Sequence, residues 1–216
     1  MTLQLRIYVP DHPLIKHWLA VARDEQTPSV LFKSAMSELG RWLAYEAVRS
    51  WLPTIETKVK TPLTECDATF INPEIPIAVV PILRAGLALL NETQNILPLA
   101  TTYHLGLARD ESTLEACCYL NKLPTKFAPK TRILILEPML ATGGSIMTAM
   151  SEITNRGANP EHIRIVSVVG APTALQKLSE KYPQLQVYAA MIDEGLNSHG
   201  YIIPGLGDAG DRAFGT

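Results

Sequence analysis

The sequence has no long apolar run. Its hydrophobic stretches fall far short of the roughly 20 residues that a membrane-crossing helix needs. The N-terminus, MTLQLRIYVPDHP, lacks the basic region and apolar core of a signal peptide. Cysteine is scarce: Cys66, Cys117 and Cys118 are odd in number and two are adjacent, which excludes a disulfide framework and points to reduced thiols. We expect them to be small hydrophobes buried in helices. No CxxC or HxxxH spacing offers a metal cage, and His12, His17, His104, His162 and His199 are too scattered for a Ser/His or metal hydrolase. An excess of charge of one sign is also missing. The 19 Lys and Arg stand against 21 Asp and Glu, a formal net charge of −2. No global positive field therefore draws the chain to nucleic acid or an anionic membrane. A single anion pocket remains compatible with that balance. Together these absences predict a soluble, cytoplasmic protein.

The 216 residues are 47 % hydrophobic and 19 % charged, an ordinary globular composition within the range of one domain spanning 1–216. The first quarter reads as helical. Pro13 opens LIKHWLAVARD, where its missing N–H suits a first turn. SVLFKSAMSELGRWLAYEAVRSWL carries a helical stripe of Leu31, Ala35, Leu39, Trp42, Leu43 and Ala47 and stops at Pro53. Its tryptophans leave open whether this face packs on the core or on another subunit. VKTPL and ATFI read as short strands around Pro62.

Alternation then sets in. PIAVVPIL is a continuous apolar run, as in a strand covered on both faces. The helix GLALLNETQNI follows, then strands TTYHLGLA and LEACCYLN flanking the polar turn RDEST. Strand TRILILE precedes helix GSIMTAMSEITNRG, closed by Gly157. Strand IRIVSVVGA, helix PTALQKLSEKY and strand LQVYAAMI complete the series. The pattern predicts an α/β fold around a parallel sheet with right-handed crossovers. After Asp193 the chain is glycine-rich and irregular, but Tyr201, Ile202, Ile203 and Phe214 predict a packed, ordered loop.

The most informative step is ILILEPMLATGGSIMTAM, where a strand ends at Glu137, a loop holds Ala141-Thr142-Gly143-Gly144-Ser145, and a helix begins. Ligands of open α/β sheets bind outside the carboxyl ends of the strands. Gly143 and Gly144 let the backbone approach a ligand closely. Unpaired N–H groups at the helix start suit a phosphate, and Thr142 and Ser145 add hydroxyl donors. The loop carries neither a Walker lysine nor GxGxxG. A carboxylate at Glu137 would repel a phosphate unless something polar lay between, and the vicinal hydroxyls of a ribose 5-phosphate are such a group. The plain alternative is a strand–turn–helix whose Thr and Ser only cap.

Glu137-Pro138-Met139-Leu140-Ala141-Thr142-Gly143-Gly144-Ser145 resembles the phosphoribosyl diphosphate (PRPP) loop of type I phosphoribosyltransferases, in its uracil-specific version. Glu137 stands where that family usually has Asp. Pro81-Ile82-Leu83-Arg84-Ala85-Gly86-Leu87 resembles the family's diphosphate loop, and Arg109 in RDESTLE its flexible loop. Cys117-Cys118 stands where Val-Pro or Pro-Val is expected. The tail Gly200-Tyr201-Ile202-Ile203-Pro204-Gly205-Leu206-Gly207-Asp208-Ala209-Gly210-Asp211-Arg212 resembles the uracil-binding signature almost residue for residue. Four motifs in the family's order cover essentially the whole chain.

The resemblance implies a uracil phosphoribosyltransferase of type I fold, with N-terminal helices and a C-terminal hood loop over the base. It implies that the PRPP loop, Glu137 to Ser145, binds PRPP, with the 5-phosphate on Ala141 to Ser145 and the ribose hydroxyls on Glu137. Arg84 and Arg109 would meet the departing diphosphate as catalytic residues, since Arg binds two oxygens at once. Asp208, the third catalytic residue implied, would lie between base and ribosyl centre, touching both uracil and PRPP. Backbone groups of Ile202, Gly207 and Ala209 would read the acceptor–donor–acceptor edge of uracil. Mg²⁺ is the implied cofactor, bound mainly through substrate. Uracil, PRPP, UMP and diphosphate are the implied partners. GTP, an effector of some family members, and a homo-oligomer, dimer or tetramer, are raised by the same resemblance. The competing reading is a non-catalytic sensor of UMP or RNA on the same fold. Loss of Arg84, Glu137 or Asp208 would favour it, and all three positions carry charge.

Overall fold

The computed structural model describes residues 4–109 and 116–216, with the backbone alone at Arg109 and Ala116. Strand β1 is Arg6–Tyr8, and helices α1 (Pro13–Arg23) and α2 (Ser29–Val48) follow. Pro13 does sit in the first turn of α1, where His12 caps by accepting from the Leu14 N–H. On α2 the buried face is Phe32, Ala35, Met36, Leu39, Leu43 and Ala47. Leu31, expected on that stripe, is 45 % exposed. It lies about 100° round the helix from Phe32, which takes the core position instead. Trp51 is buried, and Trp18 and Trp42 pack partly buried against the same core.

β2 (Thr54–Lys60) and β3 (Glu65–Ile71) pair antiparallel from Thr54↔Ile71 to Lys60↔Glu65, a hairpin longer than the two short strands expected. Then come β4 (Ile77–Leu83), α3 (Leu87–Ile96), β5 (Thr101–Thr102), β6 (Leu105–Arg109), β7 (Ala116–Asn121), β8 (Arg132–Leu136), β9 (Met139–Leu140) and α4 (Gly144–Asn155). A 3-10 turn at Pro160–His162 leads to β10 (Ile163–Gly170), α5 (Pro172–Lys181) and β11 (Gln186–Ile192). The tail forms a small hairpin, β12 (Gly195–Leu196) with β13 (Ile202–Ile203), and a short helix α6 (Ala209–Phe214).

The main sheet runs β1-β11-β10-β8-β4-β6-β7, with β5 beside β4 and β9 beside β10. Its core strands are parallel, while β7 joins the edge antiparallel to β6, so the sheet is mixed. Successive side chains of a strand point to opposite faces. Leu134, Leu136, Val166 and Val168 therefore pack under α1, α2 and α3, whereas Ile133, Ile135, Ile163 and Ile165 pack under α4 and α5. Both faces are covered, which explains the unbroken apolar runs Ile77 to Leu83 of β4 and Ile133 to Leu136 of β8.

Two expectations need correction. The three cysteines are not in helices and not buried: Cys66 lies on β3 and Cys117 and Cys118 on edge strand β7, all exposed. An edge strand has no neighbour to cover it. In the tail, Ile202 is buried and Phe214 partly so, but Tyr201 and Ile203 are half-exposed. The hairpin of β12 and β13 leaves their side of the ribbon open.

Candidate active site

Parallel strands end on one edge, and three of them release a charged residue there. Arg84 follows β4, Glu137 follows β8 and Asp193 follows β11, each one residue past its strand. Two adjoining cavities open at this edge. One, of about 340 Å³, is lined by Arg84, Ala85, Leu107, Tyr119, Glu137 and Ser145, with Asp208 on its far wall. The other, of about 470 Å³, is bordered by Glu137, Ala141, Ser145, Tyr201, Ile202 and Asp208. Glu137, Met139, Ser145 and Asp208 are common to both, so the two form a single cleft.

Glu137 sits at the junction and is only 8 % exposed. Burial pushes its carboxyl up to about 8, against the opposing pull of a hydrogen bond from the Met139 backbone. After it the chain makes β9 and turns at Gly143, whose φ of +86° is left-handed, so that no L side chain fits there without strain. No side chain caps α4 at Gly143. Its first N–H groups have no intrahelical partner and carry the positive end of the helix dipole, and Ser145 of this first turn lines the cleft. Pro138 and Leu140 serve the sheet instead. Their carbonyls accept from Val168, Val169 and Ala171 N–H groups, and the Leu140 side chain is in the core.

Arg84 is held from the tail: Nη2 donates to Asp211 Oδ1 at 2.9 Å and Nη1 to Thr216 Oγ1 at 3.3 Å. Its side chain is half-exposed and lines the cleft. Asp208 caps α6 by accepting from the Asp211 N–H at 3.0 Å. Gly205, at φ +61°, would put a Cβ 2.1 Å from the Ile202 carbonyl oxygen, so only glycine closes this turn. Gly207 has a φ of +70° and Ala209 is fully buried, which limits both to backbone contacts. The Arg109 side chain lies outside the described residues.

The structure thus brings Arg84, Glu137, Met139, Ala141, Ser145, Ile202 and Asp208 to one cleft. Three participants were not foreseen. Tyr119 lines the Arg84 end, lying over Gly106 so closely that a Cβ there would meet its ring at 2.5 Å. Lys177 of α5 donates from Nζ to the Thr142 carbonyl at 2.8 Å, bringing a cation against the loop. Asp211 pairs with Arg84; it stood inside the quoted tail, and its spacing of three from Asp208 was a readable capping pattern.

A sequence model of uracil phosphoribosyltransferase matches residues 9–216. The chain belongs to the uracil phosphoribosyltransferase family. It is 70 % identical to the uracil phosphoribosyltransferase of Nostoc sp. and 64 % identical to that of Synechocystis sp., each over the full length of both chains. A solved structure of a protein from Aquifex aeolicus shares 38 % identity at a TM-score of 0.88, covering 96 % of this chain and 97 % of that one. The α/β architecture of type I phosphoribosyltransferases therefore extends over nearly the whole of this family member. No helix among the described residues is long and apolar enough to cross a membrane.

Proposed function

We propose that the cleft joins uracil to the ribosyl carbon of PRPP, giving UMP and diphosphate, and that residues 1–216 act in this as one domain. The observation that carries the reading is the lining of a single cleft by Arg84, Glu137, Ser145 and Asp208, with Ile202 at the opposite end. A bond forms from N1 of uracil to C1 of the ribose as the C1–O bond to diphosphate breaks, and the N1 proton is released. The 5-phosphate rests on Ala141 to Ser145, at the start of α4. The ribose hydroxyls meet Glu137. Arg84, and Arg109 from the end of β6, meet the charge that grows on diphosphate. The backbone of Ile202, Gly207 and Ala209 reads O2, N3–H and O4 of uracil, with Asp208 between base and ribose. Cytosine reverses the polarity at its 4 position and would leave buried groups unpaired, which rejects it strongly.

A divalent cation fits this lining. The cleft offers carboxylate and hydroxyl oxygens, and no group of three His, Cys, Asp or Glu forms a protein cage among the described residues. Asp208 would hold Mg²⁺ beside substrate oxygens, and the ion when bound would neutralise charge on the diphosphate. Positioning and charge stabilisation by the protein's own groups carry the rate. Three exposed free thiols support a reducing, cytoplasmic setting. The β2–β3 hairpin, with Ile55, Phe70 and Ile71 partly exposed, supports a homo-oligomer, which sedimentation checks.

The decisive experiment is UMP formation from uracil and PRPP with Mg²⁺, run beside cytosine, adenine, guanine and hypoxanthine. Uracil alone should be converted. Equal turnover of a purine base would remove the base assignment, and UMP binding without turnover would leave a sensor. GTP added to the same assay determines whether that effector acts on this chain.

A further inference from the structure

Asp193 is the third charged residue released at the carboxyl edge, yet it does not line the cleft. It is buried, and its two carboxylate oxygens face different ways: Oδ1 accepts from Arg23 Nη2 at 2.6 Å, and Oδ2 accepts from the Gly205 N–H at 3.0 Å. One carboxylate therefore ties the last turn of α1 to the turn between β13 and α6. A second tie runs parallel to it. The Arg212 guanidinium donates to the Ala22 and Asp24 carbonyls at 2.5 Å each, and to the Leu206 carbonyl at 2.8 Å. Its Cζ lies over the buried Phe32 ring, 4.2 Å from the ring centre. The Ala22 and Asp24 carbonyls lie at the C-terminal end of α1, where unsatisfied carbonyls and the helix dipole favour a cation. A planar fork spans two carbonyls, which an ammonium group cannot do.

We propose that Asp193 and Arg212 are positioning residues of the base site, fixing the segment 202–209 against the C-terminus of α1. A site that reads its ligand with backbone groups has no side chain to adjust, so its precision equals that of the backbone. Asp193 holds the N–H of Gly205, and Arg212 holds the carbonyl of Leu206, immediately before Gly207. These ties set where the Ile202, Gly207 and Ala209 groups stand. The proposal rests on the reading that this segment binds uracil. It adds that α1 is part of base recognition although it contributes nothing to the cleft lining.

The test separates the two substrates. Asp193→Asn and Arg212→Met should each raise KM for uracil by about tenfold or more, the scale of a lost charge-assisted hydrogen bond, and KM for PRPP by several times less, because Asp208 is the one group of the segment that also meets PRPP. Arg212→Lys should fall between parent and Arg212→Met, because it keeps the charge without the fork. Should Asp193→Asn fail to fold, Arg212→Lys carries the same test alone. Hydrogen exchange of the parent with UMP bound distinguishes the two levels of failure. Absence of protection over 202–209 would remove the base-site reading itself. Protection there, with both KM values rising together or neither rising, would overturn the positioning roles alone.

Discussion

On the side of the cleft proposed to take the 5-phosphate and ribose, the groups come from one strand–loop–helix step between Arg132 and Asn155. On the base side they come from the last residues of the chain, held by groups 170 to 190 positions upstream through Arg23–Asp193 and Ala22–Arg212. The first half is specified locally. A buried strand delivers Glu137, a left-handed glycine turns the chain, and a helix dipole waits beyond it. The second half has no comparable local rule, because a glycine-rich tail with half-exposed Tyr201 and Ile203 packs against α1, α2 and the ends of β4 and β11. The difference teaches that, on the proposed reading, 5-phosphate binding can be altered within the loop from Glu137 to Ser145, whereas base binding would involve both ends of the chain.

The sharpest way to break this comparison is at Arg84, which belongs to both halves: it follows β4 yet is held by Asp211 and Thr216 of the tail. Arg84→Ala should lower turnover by roughly 10²-fold or more, the scale of one lost preorganised charge stabiliser, with UMP binding little changed. Turnover at the parent's rate would make it a surface residue. Next in size is Glu137→Ala. Losing a charge-assisted acceptor costs about 1.5–3 kcal/mol, so PRPP should bind about ten- to a hundredfold more weakly in a direct Kd titration. Glu137→Asp should retain most of the affinity. Equal binding by Glu137→Ala would mean that the carboxyl only ends a strand.

A smaller effect sharpens the boundary between the halves. Gly143→Ala must either strain a φ of +86° or turn the loop, and its Cβ would come 3.2 Å from the Ala174 Cα. A non-glycine residue in the left-handed region costs roughly 1–2 kcal/mol, so KM for PRPP should rise about tenfold or less. KM for uracil should stay put. A parallel rise in both would show that the loop and the tail move as a unit.

The same contrast explains what was legible in the sequence. The parallel sheet was readable because strands covered on both faces are continuous apolar runs, and Ile77 to Leu83 and Ile133 to Leu136 are such runs. The strand–loop–helix step from Glu137 to Ser145 was readable because its glycines, hydroxyls and carboxylate are contiguous. Contacts between distant segments left no such trace. Nothing in the spacing links Lys177 to Thr142, Arg23 to Asp193, or Arg84 to Asp211. The exposure of Cys117 and Cys118 depends on β7 lying at the sheet edge, a fact of strand order rather than of the strand itself. Helix α6 was hidden by its brevity, although Asp208 caps it in the ordinary way.

The smallest expected signal is less than one proton, and it reports on Glu137 at the meeting point of the halves. Burial raises its carboxyl from an ordinary 4.5 to about 8, so at pH 7 the substrate-free protein holds it mostly protonated. Accepting one ribose hydroxyl on each oxygen favours the ionised form, whose hydrogen bonds are the stronger. PRPP binding at pH 7 should therefore release most of a proton that Glu137→Gln does not release, read by calorimetry in two buffers of different ionisation enthalpy. The difference between the two proteins removes the contribution of the ligand's own phosphates. Stability gives the matching sign. Between pH 4.5 and about 8 the folded state keeps a proton that the unfolded chain has lost, so stability falls as pH rises through that window and levels off above it. Glu137→Gln has no such proton, and its melting temperature should gain on the parent from pH 5 to pH 8. Equal proton release by both proteins, with parallel melting profiles, would mean that the carboxyl is already ionised before ribose arrives, and the junction of the two halves would then carry a fixed charge rather than one made on binding.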